Sequence, residues 1–360
     1  MIENYGWSDA LRQDFTPFAA RDLIPGRVTV QHRGQYGLVT DLGELTGQIS
    51  GRLARDAASG GYPAVGDWVA VAARPGERAA TIHAVLHRRT AFVRRAADSV
   101  ATEQVVAANV DVALLVASMN ADLNQRRLER YLASAWQSGA MPAVVLTKAD
   151  LAVDAEAEVA EAESVAFGAP VLAVSAVTGQ GMDALAALLK PGETAVLVGS
   201  SGVGKSSLVN ALAGEMLMDT GAIREGDDHG RHTTTHRELI RLPPGALVPG
   251  ALILDTPGMR ELGLLDADDG LSTTFEDVEA IAESCRFSDC HHGNEPGCAV
   301  RAALESGDLD SGRWKSFLKL QKELAFQARK EDPHLREAHN RRWVAVARAN
   351  RARTKARGKP

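Results

Sequence analysis

Gly199-Ser200-Ser201-Gly202-Val203-Gly204-Lys205-Ser206 decides how this chain is read. The apolar run 195–198 before it has the composition of a buried strand, and a helical pattern begins near Ser207 after it. Small residues between a strand and a helix let successive backbone N–H groups converge on an anion, at a helix start whose dipole favours negative charge. The stretch therefore reads as a phosphate loop. In such a loop Lys205 is expected to contact the β- and γ-phosphates of a nucleotide, and the Ser206 hydroxyl to sit on Mg²⁺. About fifty residues on, the apolar run 251–254 ends in Asp255-Thr256-Pro257-Gly258. An aspartate at a strand end suits the magnesium site, and Gly258 can offer its N–H to the γ-phosphate.

The surrounding sequence alternates strand and helix. The run 110–117 is almost wholly apolar, as a strand buried on both faces requires. Residues 120–138 read as a helix, with Leu128, Leu132 and Trp136 on one face. Further strands are expected at 143–146, 171–174, 195–198 and 252–254, with helical stretches between most of them, which predicts a doubly wound α/β sheet. Two of these strands end in loops suited to a purine. Thr147-Lys148-Ala149-Asp150 follows 143–146, and Ser175-Ala176 ends the next strand. The Asp150 carboxylate can accept from both N1–H and the exocyclic amine of guanine, a donor pair that adenine lacks. The Lys148 stem can pack on the base, and backbone N–H groups at Ser175 and Ala176 can meet the guanine O6. These loops precede the phosphate loop, whereas in ordinary GTPases they follow the switch regions. The expectation is a circularly permuted G domain, a rearrangement tolerated because domain termini tend to lie close together.

Residues 1–100 have a different rhythm. Short segments with β-branched residues at 27–31, 36–41, 44–49, 67–72 and 79–86 are punctuated by Gly34, Gly37, Gly43, Gly47, Gly51 and Gly66. Five such strands predict a small barrel, an OB-fold first, with an SH3-like barrel giving much the same pattern. The expected organisation is an OB-fold domain over 1–100, the permuted α/β P-loop domain over 101–271, and a mainly helical domain over 272–360. All three cysteines, Cys285, Cys290 and Cys298, lie in the last of these, within fourteen residues. An odd, tightly spaced set argues for a metal site over disulfides. With a histidine, either His291 or His292, the set becomes Cys₃His, a donor group for one closed structural Zn²⁺.

Net charge is −6, but 329–360 holds eleven Lys or Arg against three Asp or Glu, so the rest of the chain is near −14 by difference. A basic tail on an acidic body points to a polyanionic partner. No run of eighteen apolar residues and no leader pattern is visible, so no membrane partner and a cytoplasmic location are expected.

The motif order, together with Gly66-Asp67-Trp68-Val69, the stretch from Arg126 to Leu132, Gly230-Arg231-His232-Thr233-Thr234 and the cysteine cluster, closely resembles the RsgA family of bacterial small-ribosomal-subunit-dependent GTPases. That resemblance implies GTP hydrolysis to GDP by a monomer acting on the 30S subunit and its 16S rRNA. It points to His232 as the residue that positions the attacking water, since Met259 stands where many GTPases carry Gln. It also favours His292 over His291 as the metal ligand. Within the polar stretch 214–238, which looks like switch I, Thr233 or Thr234 is expected to join Ser206 and Asp255 around magnesium. One departure is Thr147, where GTPases commonly carry Asn. The exchange is expected to loosen the tethering of the loop while leaving Asp150 free to read the base.

Overall fold

The computed structural model describes residues 1–32, 34–57, 61–95, 103–119, 123–219, 237–255, 271, 273–293 and 295–331. The expected His232, Thr233, Thr234, Gly258 and the basic segment 332–360 lie outside the described residues. The chain divides into two compact units, the first reaching to residue 263 and including 272–274, the second formed by 264–271 and 275–360.

In the first unit, β1 (Ile24–His32), β2 (Gln35–Thr40), β3 (Gly43–Ile49), β4 (Trp68–Arg74) and β5 (Ala79–Val85) form the expected barrel. The pairings β1–β2, β2–β3, β4–β5 and β1–β4 are antiparallel and β3–β5 is parallel, so the strands close in the order 1-2-3-5-4-1. A short helix, α2 (Gly51–Asp56), joins β3 to β4. This closure and the helix position are those of an OB-like barrel, which resolves the choice left open against an SH3-like one. Val28, Leu38, Leu45, Val69, Val71 and Ile82 fill its interior. A preceding helix, α1 (Asp9–Ala19), capped by Ser8, lays Leu11 and Phe15 against Trp7 and Trp68.

The second layer system of this unit is a parallel sheet. Strands β8 (Val112–Ser118), β9 (Met141–Thr147), β10 (Val171–Ala173), β11 (Thr194–Val198) and β13 (Leu252–Asp255) run parallel in the order 10-9-8-11-13. Strand β12 (Arg237–Arg241) is added antiparallel at the β13 edge. Helices α3 (Gln125–Ser138), α4 (Ala155–Glu163), α5 (Met182–Ala186) and α6 (Lys205–Ala213) alternate with the strands. Leu114, Val116, Val145, Val196 and Val198 are almost fully buried, which is why those runs carry no polar alternation. A hairpin, β6 (Ala91–Arg95) with β7 (Glu103–Ala108), sets Phe92, Val106 and Ala107 into the same core as Leu128 and Leu132. The α/β packing thus begins ahead of residue 100.

Barrel and α/β sheet are continuous. Strand β1 pairs with β12, Val30 opposite Glu238 and Gln31 opposite Arg237, giving one sheet of eleven strands. Arg27 pins the junction. Its side chain is buried and donates to the carbonyls of Tyr5, Gly66 and Asn109 and to Thr194 Oγ1 at 2.8 Å, beneath the Trp68 ring. Burial lowers its pKa to about 10, so it stays charged at neutral pH. Gly66 lies at the same junction with φ +91°, and a Cβ there would meet the Ala108 carbonyl oxygen at 2.1 Å. No side chain fits this contact.

The second unit comprises α7 (Glu276–Glu283), α8 (Ala299–Ser306) and α9 (Ser311–Glu331). Phe275, Val278, Val300, Phe317 and Leu320 are buried. Arg313 reaches Asp277 with two bonds of 2.6 Å and lies over the Phe275 ring. Among the described residues no helix is long and apolar enough to cross a membrane.

Candidate nucleotide and metal sites

Parallel strands deliver their carboxyl ends to one edge of a sheet, where doubly wound folds bind ligands. Here that edge receives the residues after β9, β10 and β11, namely Lys148 to Asp150, Ser175 and Ala176, and the phosphate loop, together with Asp255, the last residue of β13. Motifs scattered over more than a hundred positions of sequence are thereby collected into one place.

The phosphate loop starts where β11 ends. Gly199 is forced by packing, since a Cβ there would stand 2.2 Å from the Val116 carbonyl oxygen of β8. Gly202 and Gly204 have φ of +78° and +94° and turn the chain into α6. Lys205 opens that helix, and its Nζ donates to the carbonyls of Gly199 at 2.9 Å and Ser200 at 2.5 Å, above the loop. Ser200 and Ser206 are half-buried, Val203 is buried, and Ser201 and Ser207 are exposed. Burial pushes the Asp255 carboxyl pKa up and nearby Glu238 adds to this, while the Lys205 ammonium works against both. Lysine and aspartate therefore share one electrostatic environment.

The loop expected to read guanine adjoins the phosphate loop through Thr147. Its hydroxyl donates to the Val203 carbonyl at 2.5 Å, with the Ala117 carbonyl also near at 3.2 Å. Thr147, standing where GTPases commonly carry Asn, thus makes a direct tether to the phosphate loop through its hydroxyl. The backbone N–H of Ala149 in turn donates to the Val174 carbonyl, tying the Asp150 loop to the end of β10. Lys148 adopts a left-handed conformation with φ +60°, and Asp150 is exposed at the rim. Ser175 requires a correction. Its N–H donates to the Gln180 carbonyl, and its buried hydroxyl accepts from Val177 and Thr178 N–H, so it builds the turn. The N–H left for a ligand is that of Ala176.

Thr147→Val keeps the shape and deletes the hydroxyl, leaving the Val203 carbonyl short of its donor. Affinity for GDP and GTP should fall together by roughly tenfold, from the cost of an unmade buried hydrogen bond, with Thr147→Ser close to wild type. Fluorescent-nucleotide titrations of the two variants check this. Equal affinities for wild type and Thr147→Val would show that the tether does nothing for the loop.

In the second unit Cys285, Cys290, His292 and Cys298 place their ligand atoms within 4.8 Å of one another. Cys285 Sγ and Cys298 Sγ are 3.9 Å apart, and each is 3.6 Å from His292 Nδ1. His292 joins the cluster by adopting φ +56°, a turn held by Glu295, whose carboxylate accepts from His291 and Gly293 N–H. His291 is not part of the cluster, which settles the choice between the two histidines.

Fold and site together define a P-loop GTPase whose G domain is circularly permuted. Comparison with known proteins places it further. A family model described as RsgA GTPase matches residues 85–265. A protein of Opitutus terrae, called small ribosomal subunit biogenesis GTPase RsgA, is 47% identical over 368 residues, covering 99% of each chain. The crystal structure of YjeQ from Thermotoga maritima superposes with a TM-score of 0.60 at 27% identity, covering 84% of this chain and 98% of that one. YloQ, whose structure is described as a circularly permuted GTPase, shares the fold at a TM-score of 0.57 and 24% identity, over 84% of this chain and 95% of its own. The chain belongs to the RsgA GTPase family.

Proposed function

We propose that this protein binds GTP with Mg²⁺ at the sheet edge, hydrolyses it to GDP and phosphate, and uses the cycle to time its residence on a maturing 30S ribosomal subunit, in contact with 16S rRNA. The observation that carries the nucleotide part is the Thr147–Val203 bond, because it brings the proposed base loop into direct contact with the proposed phosphate loop. In this reading Asp150 and Lys148 select guanine, Ala176 N–H meets its O6, and the loop from Gly199 to Ser207 holds the phosphates. Ser206, Asp255 and Thr233 or Thr234 surround magnesium, Gly258 contacts the γ-phosphate, and His232 orients the water. The ribosomal part rests on the name carried by the Opitutus relative at 47% identity over nearly the whole chain.

The metal proposed for the Cys₃His cluster is one structural Zn²⁺. Tetrahedral zinc with Zn–S near 2.3 Å and Zn–N near 2.0–2.1 Å has S···S edges of about 3.8 Å and S···N edges of about 3.5 Å. The observed 3.9 and 3.6 Å match that frame. With four protein donors the ion keeps no open position, so its role is to hold the second unit together. The protein is expected to act as a cytoplasmic monomer.

GTPase assays with purified subunits test the reading. Added 30S should raise turnover by roughly two orders of magnitude or more, in line with partner-stimulated GTPases, and 50S should not. Equal rates with 30S, with 50S and without either would overturn the ribosomal assignment and leave a nucleotide-dependent RNA-binding scaffold.

A further inference from the structure

The barrel carries an open cleft of about 600 Å³ lined entirely by its own residues, on α2, β5 and the segments beside them. Three arginines and two histidines, Arg21, Arg52, Arg88, His83 and His87, face one acid, Asp56. In a chain of net charge −6 this concentration of basic side chains needs a reason.

These side chains differ in what they have left to give. Arg88 is held side-on by the buried Asp67, through Nε at 2.8 Å and Nη2 at 2.7 Å, and Nη2 also donates to the Tyr62 carbonyl at 2.9 Å. Asp67 is itself fixed by Ala64 N–H at 2.7 Å. A guanidinium gripped along that edge cannot rotate, and its opposite edge, Nη1, has no partner among the described residues. Its donors are oriented in advance and unspent, so a ligand bound there costs little side-chain entropy. The side chains of Arg21, His83 and His87 likewise make no hydrogen bond or ion pair among the described residues. Arg52 meets Asp56 only at 3.8 Å, with both side chains mostly exposed, a contact that competes weakly with a polyanion. By contrast, Arg74 at the end of β4 is paired with Glu77 at 2.9 Å.

The shape narrows the ligand. The cleft is open along its rim, where Arg21, Arg52 and His87 are exposed, and so suits a chain passing across it. None of its lining residues is Phe, Tyr or Trp, so it has no stacking platform for bases. Donors without a stacking surface position a backbone and do not read sequence. OB-folds customarily bind oligonucleotides across strands 2 and 3 and the adjoining loops, whereas this cleft uses α2 and β5.

We propose that this cleft is a second, sequence-tolerant contact for an RNA sugar–phosphate backbone, with Arg88 as a pre-oriented anchor and Arg21, Arg52, His83 and His87 around it. The assignment rests on the reading that the protein docks on ribosomal RNA. The full-length double variant R21A/R52A is compared with wild type for binding to 30S subunits and to a single-stranded poly(U) 20-mer, from 50 to 200 mM salt. Each lost phosphate contact removes about one from the log–log salt slope, so the slope should fall by about two, with affinity at 50 mM salt dropping at least tenfold. The melting temperature, GDP affinity and 30S-free GTPase rate should stay at wild-type values. Unchanged affinity and slope for both probes would overturn the cleft assignment while leaving the ribosomal reading intact. Wild-type protein that ignores 30S overturns the ribosomal reading, and a loss of poly(U) binding in R21A/R52A still supports the cleft as an RNA contact. Loss of inorganic pyrophosphate binding with RNA binding unchanged would make it a small-anion site and overturn the RNA assignment.

Discussion

Lys205→Ala should reduce the single-turnover rate of GTP hydrolysis by roughly a thousandfold, the loss typical of removing one donor from a pre-organised anion site. Lys205 opens α6, and its ammonium lies over the loop on the Gly199 and Ser200 carbonyls. Those bonds hold the cation where it can pass to a phosphate oxygen with little motion. The same charge opposes the upward push that burial gives the Asp255 carboxyl. Deleting it should therefore weaken the proposed magnesium site as well as the phosphate contact, two losses from one substitution. GDP should be affected less than GTP, because the γ-phosphate is the group that loses its partner. Rapid-quench measurement of phosphate release by Lys205→Ala and Lys205→Arg, beside GDP titrations, separates the two effects. Wild-type release from Lys205→Ala would refute the phosphate-site assignment.

Much of this architecture was legible in the chain because buried parallel strands leave a plain mark. The runs that became β8, β9, β11 and β13 are apolar on both faces, and the phosphate loop lies between a strand and a helix as its chemistry demands. Sequence alone could not choose between barrel types, since that choice rests on β3 pairing parallel with β5, a contact between segments thirty residues apart. The helix Asp9–Ala19 was hidden by Pro17 and a sparse apolar face, and it is stabilised by burial of Leu11 and Phe15. Strand β12 is polar at Arg237, Glu238 and Arg241, yet it forms because β13 and β1 flank it on both sides. At the site, residue types disclosed the chemistry but not the wiring. That Thr147 reaches Val203, that Ser175 uses its N–H on Gln180 and that His292 turns into the cysteine cluster all depend on backbone geometry. The signal for His292 was present in part, because Gly293 and Glu295 beside it make a turn that the carboxylate can clasp.

The second unit should lose its fold when its proposed zinc is removed, while the nucleotide pocket keeps its affinity. Its described part is three helices around a few apolar side chains, chiefly Phe275, Val278, Val300, Phe317 and Leu320, a core too small to hold such a unit by itself. The Cys₃His cluster gathers the segment between α7 and α8, and Cys298 is the residue immediately before α8. A structural zinc in a small domain contributes on the order of 10 kcal/mol to folding, more than this core can replace. Chelation, or Cys298→Ser, should therefore abolish amide-exchange protection across Ala299–Ser306 and Ser311–Glu331. Trp314 gives a second readout, because its ring meets the His292 imidazole edge-on at 5.5 Å and stacks on Phe317. Its emission should shift towards that of a solvated indole as metal leaves, and the shift should be missing in Trp314→Phe. GDP affinity should stay within about twofold, since every proposed contact to the nucleotide lies in the first unit. Helices that remain fully protected in excess chelator would show that the apolar contacts suffice and that the cysteines have some other use. A collapse of GDP affinity in parallel with the lost protection would instead show that the sheet-edge pocket depends on the metal-bearing unit.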